Sequence, residues 1–259
     1  MNMHEDRKKE TARKALSLLD LTDLTDTCDA AAIEKLCAQA QTPFGTTAAI
    51  CIWPRFVAQA RGILGAGHAV KIATVVNFPS GELVVSKVVA ETKQAIADGA
   101  DEIDLVIPYR DFIAGDEAAV TEMVAAVKAA CTPPVILKTI LETGELKDPA
   151  LVREASDLAI AAGADFIKTS TGKVPVNATL QAAEVMLNAI KASGKPVGFK
   201  PAGGVRTVGD AADYLALAAT ILGDDWAKPK TFRFGASGLL ADILTVLGGQ
   251  SAPSAPASY

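Results

Sequence analysis

The sequence has very few histidines and no cysteine spacing that is typical of a metal site. Its two histidines are His4, in a charged start, and His68, in a glycine-rich turn, so neither a catalytic triad nor a histidine-rich metal site is indicated. The cysteines form no C-x-x-C pair and stand at positions 28, 37, 51 and 131. Zinc knuckles and disulfide frameworks are therefore not expected. We expect chemistry based on lysine, aspartate and glutamate, without a metal.

Long apolar runs and an excess of positive charge are also lacking. No apolar run reaches the roughly 18 residues that a membrane span needs, and the first ten residues are too charged for a signal peptide. The net charge of −5 predicts no general affinity for nucleic acid or other polyanions. With 50% hydrophobic and 21% charged residues, the composition is that of a globular protein, which we expect in the cytoplasm.

Short β-branched runs alternate with longer alanine-rich segments along the chain. Eight of these runs are predicted as strands, at 16–21, 48–52, 70–76, 102–107, 135–141, 166–169, 197–200 and 231–234. Apolar residues at i, i+3 and i+4 predict helices between them, at 86–98, 116–130, 149–162, 177–192 and 208–222. This alternation is typical of parallel βαβ units.

A sequence pattern that occurs twice in the chain favours a closed barrel. Residues 95–103 and 159–167 both read as a helix end, a glycine, Ala-Asp and then a strand. We therefore predict a single-domain (β/α)8 TIM barrel over 15–247, with a charged N-terminal segment, 1–14, and a flexible C-terminal tail, 248–259. An open doubly wound sheet is the alternative, but no G-x-G-x-x-G or P-loop follows the first strands.

Alternation of side chains along the strands predicts four charged groups inside the barrel. Asp104, Lys138, Lys168 and Lys200 share the inward parity of four successive strands. Charges so placed must pair with one another or change protonation, and a lysine without its proton is a nucleophile for carbonyl carbon. The alternatives are strand-end lysines that reach solvent or a purely structural ion network. We favour a reactive site because active sites of this barrel lie at the carboxyl ends of the strands.

Glycine-rich segments after the last three strands indicate a phosphate site. Residues 169–173 combine hydroxyl groups with Gly172 and Lys173, residues 202–206 combine a Gly-Gly pair with Arg206, and 234–238 opens a helix. Loops of this kind bind anions through free N–H groups, and this end of the barrel is the usual phosphate site.

Two further residues are weaker candidates for the pocket. Cys51 is either an inert buried thiol or a thiol that lines the pocket. Asp20 is a polar group at the end of the first predicted strand.

The segments discussed above resemble those of the deoxyribose-phosphate aldolase family. The matching stretches run in order through about residues 15 to 247, at 19–22, 46–52, 73–79, 99–110, 141–146, 166–173, 198–206 and 233–240. The resemblance implies a (β/α)8 class I aldolase that needs no metal or other cofactor. Such enzymes reversibly cleave 2-deoxy-D-ribose 5-phosphate to D-glyceraldehyde 3-phosphate and acetaldehyde, in deoxyribonucleotide catabolism. It also implies phosphosugar and aldehyde substrates, and it is compatible with a homodimer.

The resemblance also implies roles for individual residues. Lys168 matches the Schiff-base lysine, Lys200 the lysine that disfavours the charged form of that residue, and Asp104 the carboxylate of the proton relay. Lys138 is an additional candidate for proton removal beside Asp104. Tyr259 matches a tyrosine that ends the tail of some members and is linked to proton transfer.

The phosphate loops match the family with one departure. Gly172, Gly203, Gly204 and Ser237 match phosphate-loop positions, but close relatives read Ala-Ser-Ser where this chain has Gly238 after Ser237. One hydroxyl is therefore missing, and loss of a hydrogen bond to a charged group is worth about 1.5–3 kcal/mol. We expect weaker phosphate binding and better tolerance of unphosphorylated aldehydes.

Two rival functions fit the same residues. One is a different phosphosugar enzyme on this barrel, either another Schiff-base aldolase or an isomerase, which product analysis would separate. The other is a sugar-phosphate binder in which the lysines form a static anion site. A binder has no need of Asp104 among the inward lysines, and borohydride trapping would exclude it.

Overall fold

A parallel sheet curled into a barrel forms the centre of the computed structural model, which describes residues 3–248. The strands in chain order are β1 (Leu19–Asp23), β2 (Gln41–Thr42), β3 (Gly45–Thr46), β4 (Ala49–Ile52), β5 (Lys71–Val76), β6 (Glu102–Val106), β7 (Ile136–Ile140), β8 (Phe166–Lys168), β9 (Gly198–Lys200) and β10 (Phe234–Ala236). Strands β2 and β3 form a separate antiparallel hairpin, and the other eight are parallel in the order β10-β1-β4-β5-β6-β7-β8-β9. Backbone hydrogen bonds of 2.8 and 3.0 Å, from Phe199 N to Thr231 O and from Arg233 N to Phe199 O, close the ring.

Helices surround the strands and bury their outer faces. They are α1 (Met3–Ser17), α2 (Ala30–Gln39), α3 (Val57–Leu64), α4 (Val85–Ala97), α5 (Tyr109–Ile113), α6 (Glu117–Ala130), α7 (Thr143–Leu146), α8 (Pro149–Ala161), α9 (Leu180–Ser193), α10 (Val208–Leu222) and α11 (Leu239–Leu247), with a 3-10 turn at Pro54–Phe56. The main core lies between helices and strands and includes the outward-facing Ile103 and Leu105. The predicted (β/α)8 barrel is confirmed.

A second, smaller apolar cluster is made of short side chains from the first part of the barrel. It contains Leu24, Ala49, Cys51, Ala73 and Val75, all buried. The four members on β4 and β5 have the opposite parity to the outward core residues of the same strands, Ile50, Ile52 and Ile72. Because they are small, the long charged side chains of later strands can cross the barrel beside them.

The first strand begins later than the predicted 16–21. Leu16 is buried with Ala12 and Ala15, and these three complete the apolar face of α1, which continues to Ser17 and packs on α10 and α11. The helical period thus extends past Leu16 and delays β1 to Leu19. Helix α1 covers most of the charged N-terminal segment and crosses the expected boundary at position 15.

The last strand is also displaced, from the predicted 231–234 to Phe234–Ala236. Thr231 belongs to a turn, where its hydroxyl donates to the carbonyl of Lys228 at 3.2 Å. Pairing with β1 begins only at Phe234, opposite Leu19. The predicted helix 208–222 is confirmed residue for residue, whereas α9 begins after Thr179, whose side chain caps it by accepting from Ala182 N.

Within residues 3–248, no helix is long and apolar enough to cross a lipid bilayer.

Candidate active site

Strand register brings the predicted charged residues side by side. Lys138 on β7 lies opposite Asp104 on β6, and Lys200 on β9 lies opposite Lys168 on β8. Both Lys168 and Lys200 are the last residues of their strands. The four side chains are fully buried. The predicted inward orientation is confirmed by their mutual contacts.

Asp104 is the hub of these contacts. Its Oδ2 accepts hydrogen bonds from Lys168 Nζ at 2.9 Å and Lys200 Nζ at 2.8 Å, and its Oδ1 accepts from Lys138 Nζ at 2.9 Å. One carboxylate therefore binds the ammonium groups of three neighbouring strands. Charge-assisted bonds of this kind fix the positions of all four groups.

Asp20 extends the network across the barrel to β1. Its Oδ2 accepts from Lys200 Nζ at 2.6 Å and lies 3.7 Å from Lys138 Nζ. Its Oδ1 accepts from Arg233 NH1 at 2.7 Å. Asp20 thus proves to be part of the charged cluster, and Lys200 is held between two carboxylates.

Glu102 and Arg233 complete the cluster below the lysines. Glu102 Oε2 lies 2.5 Å from Lys138 Nζ, and the two carboxylate oxygens accept from Arg233 NH1 and NH2 at 3.0 and 2.7 Å. Both residues are buried. The bidentate geometry locks Arg233 against Glu102, and Glu102 in turn orients Lys138.

The cluster keeps its carboxylates ionised. Burial by itself raises the pKa of Asp104, but Lys138, Lys168 and Lys200 outweigh burial and hold that pKa well below 3.8. Burial is likewise overcome at Asp20, whose pKa is lowered by Lys200, Arg233 and Lys138. The pKa of Glu102 is lowered in the same way by Lys138 and Arg233.

Two cations of the cluster are held in their charged forms. Burial lowers the pKa of Lys200, but Asp104 and Asp20 together raise it well above 10.5. Arg233 also has a raised pKa, because Asp20 and Glu102 outweigh its burial. Lys200 is therefore a permanent positive charge beside Lys168 at neutral pH.

Lys168 differs from the other cations of the cluster in the number of its carboxylate partners. The cluster joins four basic groups, Lys138, Lys168, Lys200 and Arg233, to three acidic groups, Asp20, Glu102 and Asp104. One positive charge is in excess when all seven are ionised. Among the described ion pairs Lys168 has one carboxylate partner, which it shares, whereas each other cation has at least two. Lys168 is thus the cation that this arrangement stabilises least.

The depressed pKa values predict loss of stability in acid. A carboxylate with a lowered folded-state pKa stabilises the fold fully above its ordinary value and loses that effect as pH falls toward the folded value. For Asp20, Asp104 and Glu102 the ordinary values are 3.8, 3.8 and 4.5. We expect the melting temperature to fall steeply below about pH 4. Circular dichroism melts from pH 7 to 3 will test this, and Asp20→Asn should show a shallower decline. Parallel curves would contradict the prediction.

Cys51 lies at the edge of the cluster. Its Sγ is 4.0 Å from Asp104 Oδ2, and burial raises its pKa despite the nearby Lys200. A buried thiol with a raised pKa is a poor nucleophile. These contacts favour the inert buried thiol over a thiol that lines the pocket.

The three glycine-rich loops meet at the carboxyl ends of β8, β9 and β10. Gly203 N donates to Gly235 O at 3.2 Å, and Ala178 N donates to Gly203 O at 3.3 Å. Gly203 has φ +78°, and a Cβ placed there would lie 2.7 Å from Asn177 Cβ. Glycine is therefore required at this close approach. Gly172 and Gly204 also have positive φ, at 82° and 89°.

The remaining phosphate candidates differ in their surroundings. Ser237 is partly buried, and Gly238 is the exposed N-cap of α11, where no side chain caps the helix. Arg206 is exposed, and its backbone N–H donates to Asp210 Oδ2. Lys173 extends to the opposite side of the barrel mouth, where its Nζ donates to Leu24 O at 2.6 Å and lies 5.9 Å from the Trp53 ring centre.

Glu142 supports the loop after β8 from beneath. It is fully buried and has φ 58°, and it accepts from Thr171 N at 3.1 Å and Thr171 Oγ1 at 2.5 Å. Burial raises its pKa, opposed by the two bonds from Thr171. Glu142 thus fixes the loop just before Gly172.

Sequence comparison assigns the family. A family model described as the DeoC/LacD family aldolase matches residues 14–243. The chain belongs to this family. This chain is 64% identical over 259 residues to a deoxyribose-phosphate aldolase of Agrobacterium fabrum, and the alignment covers all of both chains.

Solved structures share the fold of this aldolase. A protein from Toxoplasma gondii ME49, provisionally named a deoxyribose-phosphate aldolase, superposes with a TM-score of 0.84 at 26% identity, covering 94% of this chain and 98% of the other. The tetrameric deoxyribose phosphate aldolase of Aeropyrum pernix has a TM-score of 0.75 at 21% identity, with 96% and 99% covered, and at this identity supports the fold alone.

Sequence reasoning overlooked Glu102 and Arg233 as members of the charged cluster, whereas Glu142 was expected as a loop cap or a substrate contact. Parity placed Glu102 inside the barrel, and a buried acid on an otherwise apolar strand was the available signal. Arg233 lies just before β10 and gave a similar signal among aromatic neighbours. Tyr259 lies outside the described residues. In the described part of the aldolase, no group of three or more His, Cys, Asp or Glu side chains is placed to hold a metal ion.

Proposed function

We propose that Lys168 is the Schiff-base nucleophile in the reversible cleavage of 2-deoxy-D-ribose 5-phosphate to D-glyceraldehyde 3-phosphate and acetaldehyde. The observation that carries this assignment is the unequal pairing of the buried cations. Lys138 and Lys200 each contact two or more carboxylates, whereas Lys168 shares Asp104 with both of them. Lys168 is therefore the amine whose attack on a carbonyl carbon disrupts the fewest buried ion pairs.

Lys200 acts as an electrostatic activator in this proposal. Asp20 and Asp104 keep it charged, so it opposes a second positive charge on Lys168. After the neutral amine adds to the C1 carbonyl of the substrate and water is lost, the resulting iminium withdraws electrons from the bond between C2 and C3. In the cleavage direction the C3 hydroxyl loses its proton to the relay of Asp104 and the C2–C3 bond breaks, which releases the phosphorylated aldehyde and leaves an enamine. Protonation and hydrolysis then release acetaldehyde.

Asp104 orients the nitrogen and takes part in proton transfer. Its Oδ2 is shared between Lys168 and Lys200, so conversion of Lys168 into an imine frees hydrogen-bonding capacity on this oxygen. A water molecule bound there would carry protons to and from the enamine carbon. Lys138 stays paired with Asp104 and Glu102 and positions the carboxylate. Asp20 contributes to the charge of the pocket.

The loops after β8, β9 and β10 bind the phosphate. Gly172, Gly203, Gly204 and Ser237 provide backbone or hydroxyl donors, and the uncapped first turn of α11 adds further N–H groups. Arg206 adds positive charge near these loops, whereas the ammonium of Lys173 lies across the barrel mouth at Leu24 O and contributes to the field of the pocket from there. Phosphate binding at this position holds the sugar chain with its carbonyl toward Lys168.

Borohydride trapping tests the proposed function. Incubation with acetaldehyde and sodium borohydride should reduce the imine and leave one ethyl group on Lys168, identified by peptide mass spectrometry. EDTA should not change turnover of 2-deoxy-D-ribose 5-phosphate. Absence of labelling at Lys168, or an ethyl group on Lys200 alone, would contradict the assignment, and loss of activity in EDTA would favour a metal-dependent aldolase.

Gly238→Ser should improve use of phosphorylated substrates. Gly238 has φ −81°, and a Cβ there would meet no atom within 4 Å, so serine fits without strain. Its hydroxyl adds a donor beside the phosphate, and we expect KM for 2-deoxy-D-ribose 5-phosphate to fall about tenfold. Cleavage of unphosphorylated 2-deoxy-D-ribose provides the comparison, and its KM should change little. An equal change for both substrates would show that the hydroxyl does not contact phosphate.

We also propose that residues 15–247 act as one catalytic domain, that the protein acts in the cytoplasm and that it assembles as a homodimer. Sedimentation velocity on the full chain will distinguish a dimer from a monomer and from a tetramer.

A further inference from the structure

A cavity of about 710 Å³ opens at the amino-terminal end of the barrel, opposite Lys168 and Lys200. Residues that precede or begin strands line it, among them Ala48, Lys71, Glu102, Ile136 and Arg233. None of the three central groups, Asp104, Lys168 and Lys200, lies in its wall. The cavity is therefore separate from the site described above.

Arg233 and Glu102 form the boundary between this cavity and the charged cluster. Both line the cavity, and both contact groups of the cluster on the other side. Arg233 is only 4% exposed, and its guanidinium donates to Pro229 O, to Asp20 and to both oxygens of Glu102. The pair closes the barrel beneath the lysines.

We infer that Arg233 is a positioning residue for the aldol reaction, which supplies the surplus positive charge of the cluster and holds Asp20 and Glu102 in place. This inference rests on the proposed function of Lys168. Without Arg233, three cations would face three carboxylates, and the excess charge would disappear. The positive charge that opposes a cation at Lys168 would then fall by one. A guanidinium serves this purpose because it does not lose its own proton.

The charges of the cluster predict the direction in which each substitution shifts the pH profile of kcat/KM. The titratable and charged groups that surround Lys168 and its partners come from five strands, the residues after β7 and the segment before β10. They are Asp20, Cys51, Glu102, Asp104, Lys138, Glu142, Lys200 and Arg233. The acid limb of the profile of kcat/KM reports deprotonation of the nucleophile in the free enzyme. Removing a positive charge should move this limb to higher pH, and removing a negative charge should move it to lower pH.

Arg233→Ala and Glu102→Gln test these opposite shifts. For Arg233→Ala we expect kcat/KM at neutral pH to fall about 100-fold and the acid limb to rise by about one pH unit. Arg233→Lys should keep the limb near its wild-type position. Glu102→Gln, which keeps the shape of the side chain, should move the limb downward. Lys230→Ala is the matched control, because Lys230 is an exposed cation in the wall of the same cavity.

Chemical rescue separates charge from structure. Guanidinium chloride at millimolar concentration can reach the vacated position through the cavity, and it should restore Arg233→Ala activity at least tenfold. Urea, which has a similar shape and no charge, should not. Equal effects of guanidinium and urea, or an unmoved acid limb in folded Arg233→Ala, would overturn the inference.

Two further controls keep the experiment decisive. If circular dichroism shows that Arg233→Ala does not fold, the test rests on Glu102→Gln. An unchanged acid limb of the kcat/KM profile in Glu102→Gln then overturns the inference. Wild-type labelling of Lys168 by acetaldehyde and borohydride tests the proposed function alone. Labelled wild-type protein combined with unmoved acid limbs would therefore reject the role of Arg233 and leave the Schiff-base mechanism intact.

Discussion

Lys168→Leu is expected to lower kcat for 2-deoxy-D-ribose 5-phosphate cleavage by about 10⁵-fold while the protein stays folded. The loss of activity follows because no other group of the cluster is both amine and weakly paired. Lys200 is held by Asp20 and Asp104, and Lys138 by Asp104 and Glu102. Neither can replace the nucleophile without breaking buried ion pairs.

We expect Lys168→Leu to fold as the wild type does. Removing one partner of a buried ion pair is usually destabilising, but here the cluster carries one surplus positive charge. Lys168→Leu leaves three cations for three carboxylates, and Asp104 Oδ2 still accepts from Lys200 at 2.8 Å. We therefore expect a melting temperature equal to or above that of the wild type at pH 7.

Three measurements check the Lys168→Leu prediction together. Steady-state kinetics should show the loss of kcat, borohydride trapping should give no labelled peptide, and circular dichroism should give the melting temperature. Lys191→Leu is a suitable control for the same chemical change, because Lys191 is exposed in the last turn of α9. A kcat within tenfold of wild type, or trapping that persists at another lysine, would assign the nucleophile elsewhere.

The inner face of the barrel could be predicted from the sequence because strand parity is a local property. A period of two along 102–107 separates Asp104 from Ile103 and Leu105, whereas Lys138 on β7 shares its parity with Ile136 and Ile140. Strand order then followed from the βαβ pattern, since consecutive parallel strands in a barrel are neighbours. These two rules were enough to place Asp104, Lys138, Lys168 and Lys200 together.

The partners of these residues depend on contacts that the chain makes over long separations. Arg233 bonds Asp20 from 213 positions away, and Lys200 bonds the same carboxylate from 180 positions away. Such pairs exist only after the barrel closes, and closure depends on the stagger between β9, β10 and β1. The sequence suggested Asp20 as a pocket residue but gave no reason to connect it with Arg233.

The predicted strand boundaries were wrong where a residue fits a strand as well as another element. Leu16 fits an apolar strand as well as the apolar face of α1, and packing against α10 and α11 decides for the helix. Thr231 and Phe232 are typical strand residues, but the hydroxyl of Thr231 stabilises a turn, and pairing with β1 starts at Phe234. At Leu16 tertiary packing overrides the local strand preference, whereas at Thr231 a local turn does so.

Asp104→Asn should reduce both stability and turnover, in contrast to Lys168→Leu. The amide removes one negative charge from the centre of the cluster and turns an NH₂ group toward ammonium groups, so four cations face two carboxylates. Loss of one partner of buried ion pairs predicts destabilisation of about 3–5 kcal/mol at pH 7. We expect kcat to fall about 10³-fold, because Lys168 and the water for proton transfer lose their common acceptor.

A double-mutant cycle shows whether charge balance causes the Asp104→Asn defect. Adding Lys168→Leu to Asp104→Asn lowers the surplus from two positive charges to one, as in the wild type. The double variant should therefore recover about half of the lost unfolding free energy, measured by urea denaturation at pH 7, while remaining inactive. Recovery should shrink as pH rises toward 10, because the lysines of Asp104→Asn then lose protons without help. Strict additivity at both pH values would mean that Asp104 stabilises the barrel through packing and not through the charges it binds.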